Sequence, residues 1–114
     1  MDSNWVWSER IDPVLETGVE LFAQGIHNWA LPEQQAMIAL SHLEELHVAV
    51  LGGDVYQMDN GQLRPVSDNW YCDRMPGEPE QEFVGRSIRK ARDYISGYCG
   101  RTTAVPLFAI VPKI

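Results

Sequence analysis

The order of apolar and polar positions divides the chain into seven segments. The first opens at Asp12-Pro13, an acid suited to a helix N-cap followed by a proline at the first helical position, where its missing N–H is not needed. Val14, Leu15, Val19, Leu21 and Phe22 then share a broad face at helical spacing, which predicts a helix ending at Gly25. Gly18, inside that span, weakens it. Trp29-Ala30-Leu31-Pro32 leads into a second predicted helix with Pro32 at its first position. Its apolar stripe is Ala36, Leu40 and Leu43, widened by Ala39 and Leu46, while Glu33, Glu44 and Glu45 fall outside it and are expected in water.

The period then changes. Val48-Ala49-Val50-Leu51 is a short, β-branched apolar run that suits a central strand, and Asp54-Val55-Tyr56-Gln57-Met58 continues it. The intervening Gly52-Gly53 predicts a bulge or a close backbone approach. Asn60-Gly61 is the strongest hairpin signal in the chain. A two-residue loop there pairs Asp59 with Gln62, Met58 with Leu63, Tyr56 with Pro65, Val55 with Val66 and Asp54 with Ser67. Met58, Leu63, Tyr56 and Pro65 then share one face, and Asp54 lies beside the turn that carries Asp68. Trp70-Tyr71-Cys72 reads as a short third extended piece, and residues 73–79 as a Pro/Gly loop.

The third predicted helix is the clearest element. Val84, Ser87, Ile88, Ala91, Tyr94, Ile95 and Tyr98 line one face, with Arg86, Arg89, Lys90 and Asp93 away from it. Glu78, Glu80 and Glu82 sit at or before its start, where the helix dipole favours acids, and Glu82–Arg86 has i,i+4 spacing in the favourable order. Val105 to Pro112 reads as a last strand whose prolines fit an edge position or strand ends. The sum is an α+β fold: a small, mostly antiparallel sheet of three to four strands with about three helices packed on one face. Residues 1–114 are expected to form one domain, with the Trp-rich residues 1–10 as an N-terminal extension.

Composition narrows the classes. At 114 residues and 45% hydrophobic content the chain is too apolar for intrinsic disorder and long enough to bury a core without metals or disulfides. No apolar stretch nears the roughly 18 residues that cross a bilayer. The first ten residues lack a basic region followed by an apolar run, so a cytoplasmic location with Cys72 and Cys99 as reduced thiols is expected. The net charge of −7 is unevenly placed: residues 1–60 carry ten acids and one base (Arg10), residues 61–114 six acids and eight bases. An acidic first half repels phosphate backbones, so nucleic acid is not an expected ligand, and it attracts a basic partner. Plain solubility accounts for the same charge.

Candidate chemistry is sparse. His27, His42 and His47 show no ligand spacing and the cysteines form no Cys-x-x-Cys pair, so no metal or other cofactor is expected. Nucleophile elbows, phosphate loops and dinucleotide fingerprints are absent. Asp54 and Asp68, with Asp73 nearby, form the one carboxylate pairing that could perform acid–base work or hold a divalent cation, which is the case for a small enzyme. The plainer reading is turn chemistry, with Asp68 in an Asx turn and Asp54 satisfying backbone groups freed by a glycine bulge. The basic run over residues 86–92 reads as a solvated helix face. Four tryptophans are many for this length; most belong in a core, and one left exposed beside acids would be an interface anchor or a self-association contact.

Leu43-Glu44-Glu45-Leu46 followed by Val48-Ala49-Val50-Leu51-Gly52-Gly53-Asp54-Val55-Tyr56 resembles the signature block of the immunity protein 40 family of bacterial polymorphic toxin systems. Asp68-Asn69-Trp70-Tyr71-Cys72 and the helix from Val84-Gly85-Arg86-Ser87-Ile88 to Tyr94-Ile95 are similar in order and spacing, so the likeness covers about residues 30–111. It implies a small cytoplasmic α+β protein that binds a cognate toxin domain and blocks it without catalysis. Were the toxin a basic nuclease, acidic side chains would occupy the place of phosphates and speed encounter. On that reading Asp54, Tyr56, Asp68 and Trp70 are candidate contacts, and Glu44 and Glu45 supply attraction at a distance.

Overall fold

The computed structural model describes residues 4–100 and 104–114. Its centre is a five-stranded sheet, every pairing antiparallel, in the order β1-β2-β5-β3-β4. The strands are β1 (Val19–Glu20), β2 (Trp29–Pro32), β3 (Val50–Asp59), β4 (Gln62–Tyr71) and β5 (Pro106–Pro112). The α-helices of the described residues are α1 (Asp12–Leu15), α2 (Glu33–Glu45) and α3 (Glu80–Ser96). The α+β class stands, with one strand more than the upper expectation.

The extra strand comes from the N-terminal third. The helix expected from Asp12 to Gly25 stops at Leu15. Gly18 passes so close to β2 that a Cβ there would lie 3.0 Å from the Leu31 side chain, which fixes the chain as a strand neighbour instead of a helical turn. β1 follows, then a single 3₁₀ turn over Phe22–Gln24, which Gly25 ends in the left-handed region at φ 79°. Val19, Leu21 and Phe22 therefore match helical spacing without sharing a helix. Trp29-Ala30-Leu31-Pro32, expected as a lead-in, is itself β2.

The hairpin forms where expected. Asn60 (φ 51°) and Gly61 (φ 77°) both take positive φ, as a type I′ loop requires, and Asp59↔Gln62, Met58↔Leu63 and Tyr56↔Pro65 are paired. Beyond Tyr56 the register departs from the expectation. Asp54 pairs with Asn69, not Ser67, so residues 66–68 of β4 bulge opposite Val55 alone. That bulge lifts Asp68 out of the ladder and lets β4 run on to Tyr71, so the expected third extended piece is the far half of β4. A second irregularity places Leu51 as the extra residue of β3 between Val50↔Pro112 and Gly52↔Val111. β5 is central, flanked by β2 and β3; its prolines mark the strand ends and not an edge.

Both faces of the sheet are partly covered. On one, α2 contributes Ala36, Ala39, Leu40 and Leu43, and α3 contributes Phe83, Val84, Ile88, Ala91 and Ile95, over Leu31, Val50, Val55, Trp70, Phe108 and Ile110 of the strands. Ser87, fully buried on α3, accepts the Val50 N–H at 2.9 Å and donates to the Val84 carbonyl at 3.0 Å, which locks α3 to β3. Gly53 provides the expected close approach: a Cβ there would run into the Trp70 ring and lie 2.6 Å from the Ala109 carbonyl oxygen. On the other face Leu21, Ala30, Tyr56, Leu63, Leu107 and Ala109 form a smaller cluster. The 3₁₀ turn is strapped across it by Gln24 Nε2, which donates to the Leu63 carbonyl at 2.8 Å.

Candidate partner-binding surface

Strand alternation decides where the expected site residues go. Trp70 points to the helix side, 6% exposed, stacked on Tyr94 with ring centroids 4.8 Å apart. Its indole N–H has no hydrogen-bond partner among the described residues. Tyr56 points to the other face and is 4% exposed. Burial, and secondarily the neighbouring Asp54 carboxylate, push its hydroxyl pKa up. Both aromatics are core residues in this fold. Asp54 is exposed on the Tyr56 face. Asp68, displaced by the β4 bulge, accepts a 2.6 Å hydrogen bond from the Tyr98 hydroxyl on the helix side. Its charge adds to burial in raising the Tyr94 pKa.

The two carboxylates therefore stand on opposite faces of the sheet. A cavity of about 170 Å³ beside the β4 bulge is lined by Asp68, Tyr98 and Val66 but not by Asp54. The convergence that acid–base work needs is not assembled. Among the described residues no three His, Cys, Asp or Glu side chains gather as a metal site would require. Glu44 and Glu45 are exposed on α2, each beside a cationic or ionisable neighbour: Arg92 Nη2 is 3.8 Å from Glu44, and His42 Nδ1 is 3.3 Å from Glu45.

The charge distribution sharpens when ion pairs are traced. Arg64, Arg74, Arg86, Arg92 and Lys113 all pair with carboxylates, chiefly in the C-terminal half. Arg86 does not take the expected Glu82. It forks onto Glu78 (Nε and Nη2, both 2.8 Å), donates to the Asp73 carbonyl at 2.6 Å and approaches Cys72 Sγ at 3.3 Å. This clamp closes the loop between β4 and α3. The Arg86 hydrogen bonds, with one from the Met75 N–H, hold the Glu78 carboxyl at a pKa of about 2. In residues 1–60, Glu9, Glu16, Glu20, Glu33 and Asp54 make no ion pair among the described residues and face one cation, Arg10; in the C-terminal half Asp73, Glu82 and Asp93 also make none, but there Arg89 and Lys90 are likewise without one. The unbalanced negative charge thus lies toward the N-terminal third.

That same third carries exposed apolar side chains, a combination that periodicity did not reveal. Asp12 is buried and accepts backbone N–H groups of Val6 (2.8 Å), Trp7 (2.8 Å) and Ser8 (3.3 Å). The Trp7 indole N–H donates to Asn28 Oδ1 at 3.3 Å, and buried Asn28 donates to the Ile110 carbonyl at 2.9 Å. Residues 4–10 are so held against the body, which places Trp5, 49% exposed, beside Phe22, 40% exposed. A shallow groove of about 540 Å³ results, lined by Trp5, Phe22, His27 and the buried Trp29, with Glu16 and Glu20 among its walls. The tryptophans and the acidic bias are visible in the sequence; the meeting of Trp5 and Trp29 with Glu16 and Glu20 depends on the Asp12 and Asn28 bonds, which no local pattern encodes.

A two-layer α+β scaffold with dispersed surface acids and half-exposed aromatics fits the class of small binding proteins. The chain belongs to the immunity protein 40 family, whose model matches residues 20–112. The match is wider than the likeness seen over residues 30–111, and Trp5 lies outside both. Comparison with curated proteins and with solved structures gives no match. Family membership supports an immunity role, and an immunity role implies a toxin protein as partner. Among the described residues no helix is long and apolar enough to cross a membrane.

Proposed function

We propose that the protein protects the cell that makes it by binding a cognate toxin domain in the cytoplasm and covering the surface the toxin needs. The supporting observation is the set of exposed carboxylates in residues 4–60 that make no ion pair among the described residues, Glu9, Glu16, Glu20, Glu33 and Asp54, on a chain of net charge −7. Such a field accelerates encounter with a basic toxin, such as a nuclease, and discriminates against acidic partners. Asp54, Glu44 and Glu45 contribute to this attraction at a distance. The separation of Asp54 and Asp68 onto opposite faces favours inhibition by occlusion over chemistry on those two groups.

The test is co-expression in bacteria of this chain with the toxin domain encoded in the adjacent reading frame. Cells carrying both are expected to grow, and cells carrying the toxin domain alone to die. Death in the presence of folded, abundant protein would overturn the proposal.

A further inference from the structure

We infer that the groove between Trp5 and Phe22 is the anchoring site for the toxin, and that its occupant is a Lys or Arg side chain projecting from a basic surface. The inference rests on the immunity reading above and names the contact that reading leaves open.

Four observations converge there. First, the groove presents aromatic rings to solvent. Phe22 packs edge-on against Trp29 with centroids 5.5 Å apart and against His27 at 6.2 Å, so its ring is held in place and not free to collapse. Trp5 remains about half exposed although the backbone just after it is fastened by Asp12. A half-exposed tryptophan beside a fastened backbone has only two side-chain torsions to order on binding and brings a large apolar area, the profile of an interface anchor. Second, Glu16 and Glu20 line the same groove and have no ion pair among the described residues. Third, the nearest cation in sequence is directed elsewhere. Arg10, the single Lys or Arg of residues 1–60, donates to the Leu46 carbonyl at 3.4 Å. Fourth, the groove, with a volume of about 540 Å³, has room for a long side chain reaching in from a partner's surface.

The chemistry that satisfies both halves of this site is a cation on an aliphatic stem. A guanidinium or ammonium placed over the Trp5 or Phe22 ring is attracted by the ring quadrupole. The two carboxylates then neutralise it, and its methylene stem covers apolar surface. An anionic or purely apolar side chain would leave one half unmatched. Asp54 is not among the residues that line the groove and stays outside this contact.

The experiment measures binding of the purified toxin domain from the adjacent reading frame by surface plasmon resonance, at low and high salt. Wild type is compared with Trp5→Ala, with the double variant Glu16→Gln/Glu20→Gln, and with Asp54→Ala, each checked for folding by circular dichroism. Trp5→Ala is expected to raise Kd at least about tenfold, mainly through faster dissociation. The double variant is expected to raise Kd about fivefold, mainly through slower association, and to flatten the salt dependence. Asp54→Ala is expected to leave dissociation within about twofold of wild type. Wild-type affinity in folded Trp5→Ala and in the double variant overturns the assignment of the groove while the immunity reading stands. Absence of binding by wild type overturns both. Should Trp5→Ala fail to fold, the double variant alone decides, because exposed Glu to Gln changes leave the packing intact.

Discussion

Asp12 is the side chain on which the N-terminal segment depends. Its carboxylate receives three backbone N–H groups, two of them at 2.8 Å, in a buried setting. Removing it strands those donors, so Asp12→Ala is expected to lower unfolding free energy by about 2–3 kcal/mol, and Asp12→Asn by less, in urea titrations. A loss under about 0.5 kcal/mol would mean that water replaces the carboxylate freely. Glu78 is a second such residue, readable through pH. Its pKa is depressed from 4.5 to about 2 by the Arg86 fork, so its contribution is complete above about pH 4.5 and is lost as pH falls toward 2. Melting temperature should therefore fall more steeply across that window in wild type than in Glu78→Gln. Parallel profiles would contradict the role given to the clamp. Both residues stand out in the sequence, but with other partners. Asp12 reads as a helix cap because Pro13 follows it, and Glu82 is the spacing-based partner for Arg86; both true partnerships are set by how distant segments meet.

The β3–β4 hairpin shows how far local patterns reach. Asn60-Gly61 defined the turn and the first three expected pairings because a two-residue loop leaves no freedom in register. Gly61 sits at φ 77° with open space around it, so Gly61→Ala isolates the backbone penalty from any clash. A destabilisation of about 1–2 kcal/mol is expected in thermal unfolding. An unchanged melting temperature would show that the loop can be rebuilt at no penalty. The register departs further along, at residues 66–68, where the β4 bulge has no glycine and follows Pro65, which fits an edge strand as well as a bulge. α3 was legible throughout, since its apolar face persists over 17 residues. The N-terminal third was not. A four-residue helix, a two-residue strand and a 3₁₀ turn are each shorter than the window in which periodicity discriminates. Gly18 was the one local sign, and its meaning is a close approach to β2. The candidate site suffered for the same reason. Tyr56 and Trp70 follow strand alternation into the two core clusters, while the exposed Trp5 and Phe22 belong to the N-terminal third, whose short elements carry no periodic signal.

Over the whole molecule, charge and shape divide the work. In the C-terminal half Arg64, Arg74, Arg86, Arg92 and Lys113 are held in ion pairs, while in the N-terminal half Glu16 and Glu20 stand open around exposed rings. The fold is broad and thin, about 44 × 40 × 22 Å, which offers extended faces in place of a deep cleft. Under the proposed occlusion the protein covers the toxin, and a covering inhibitor acts in proportion to its amount. The most direct measurement is a titration of the toxin domain's activity with this protein at concentrations well above Kd. The account predicts a linear fall to zero at one equivalent, with activity returning after the two are separated. Complete inactivation at a small fraction of an equivalent, persisting after separation, would mean turnover and would contradict inhibition by occlusion.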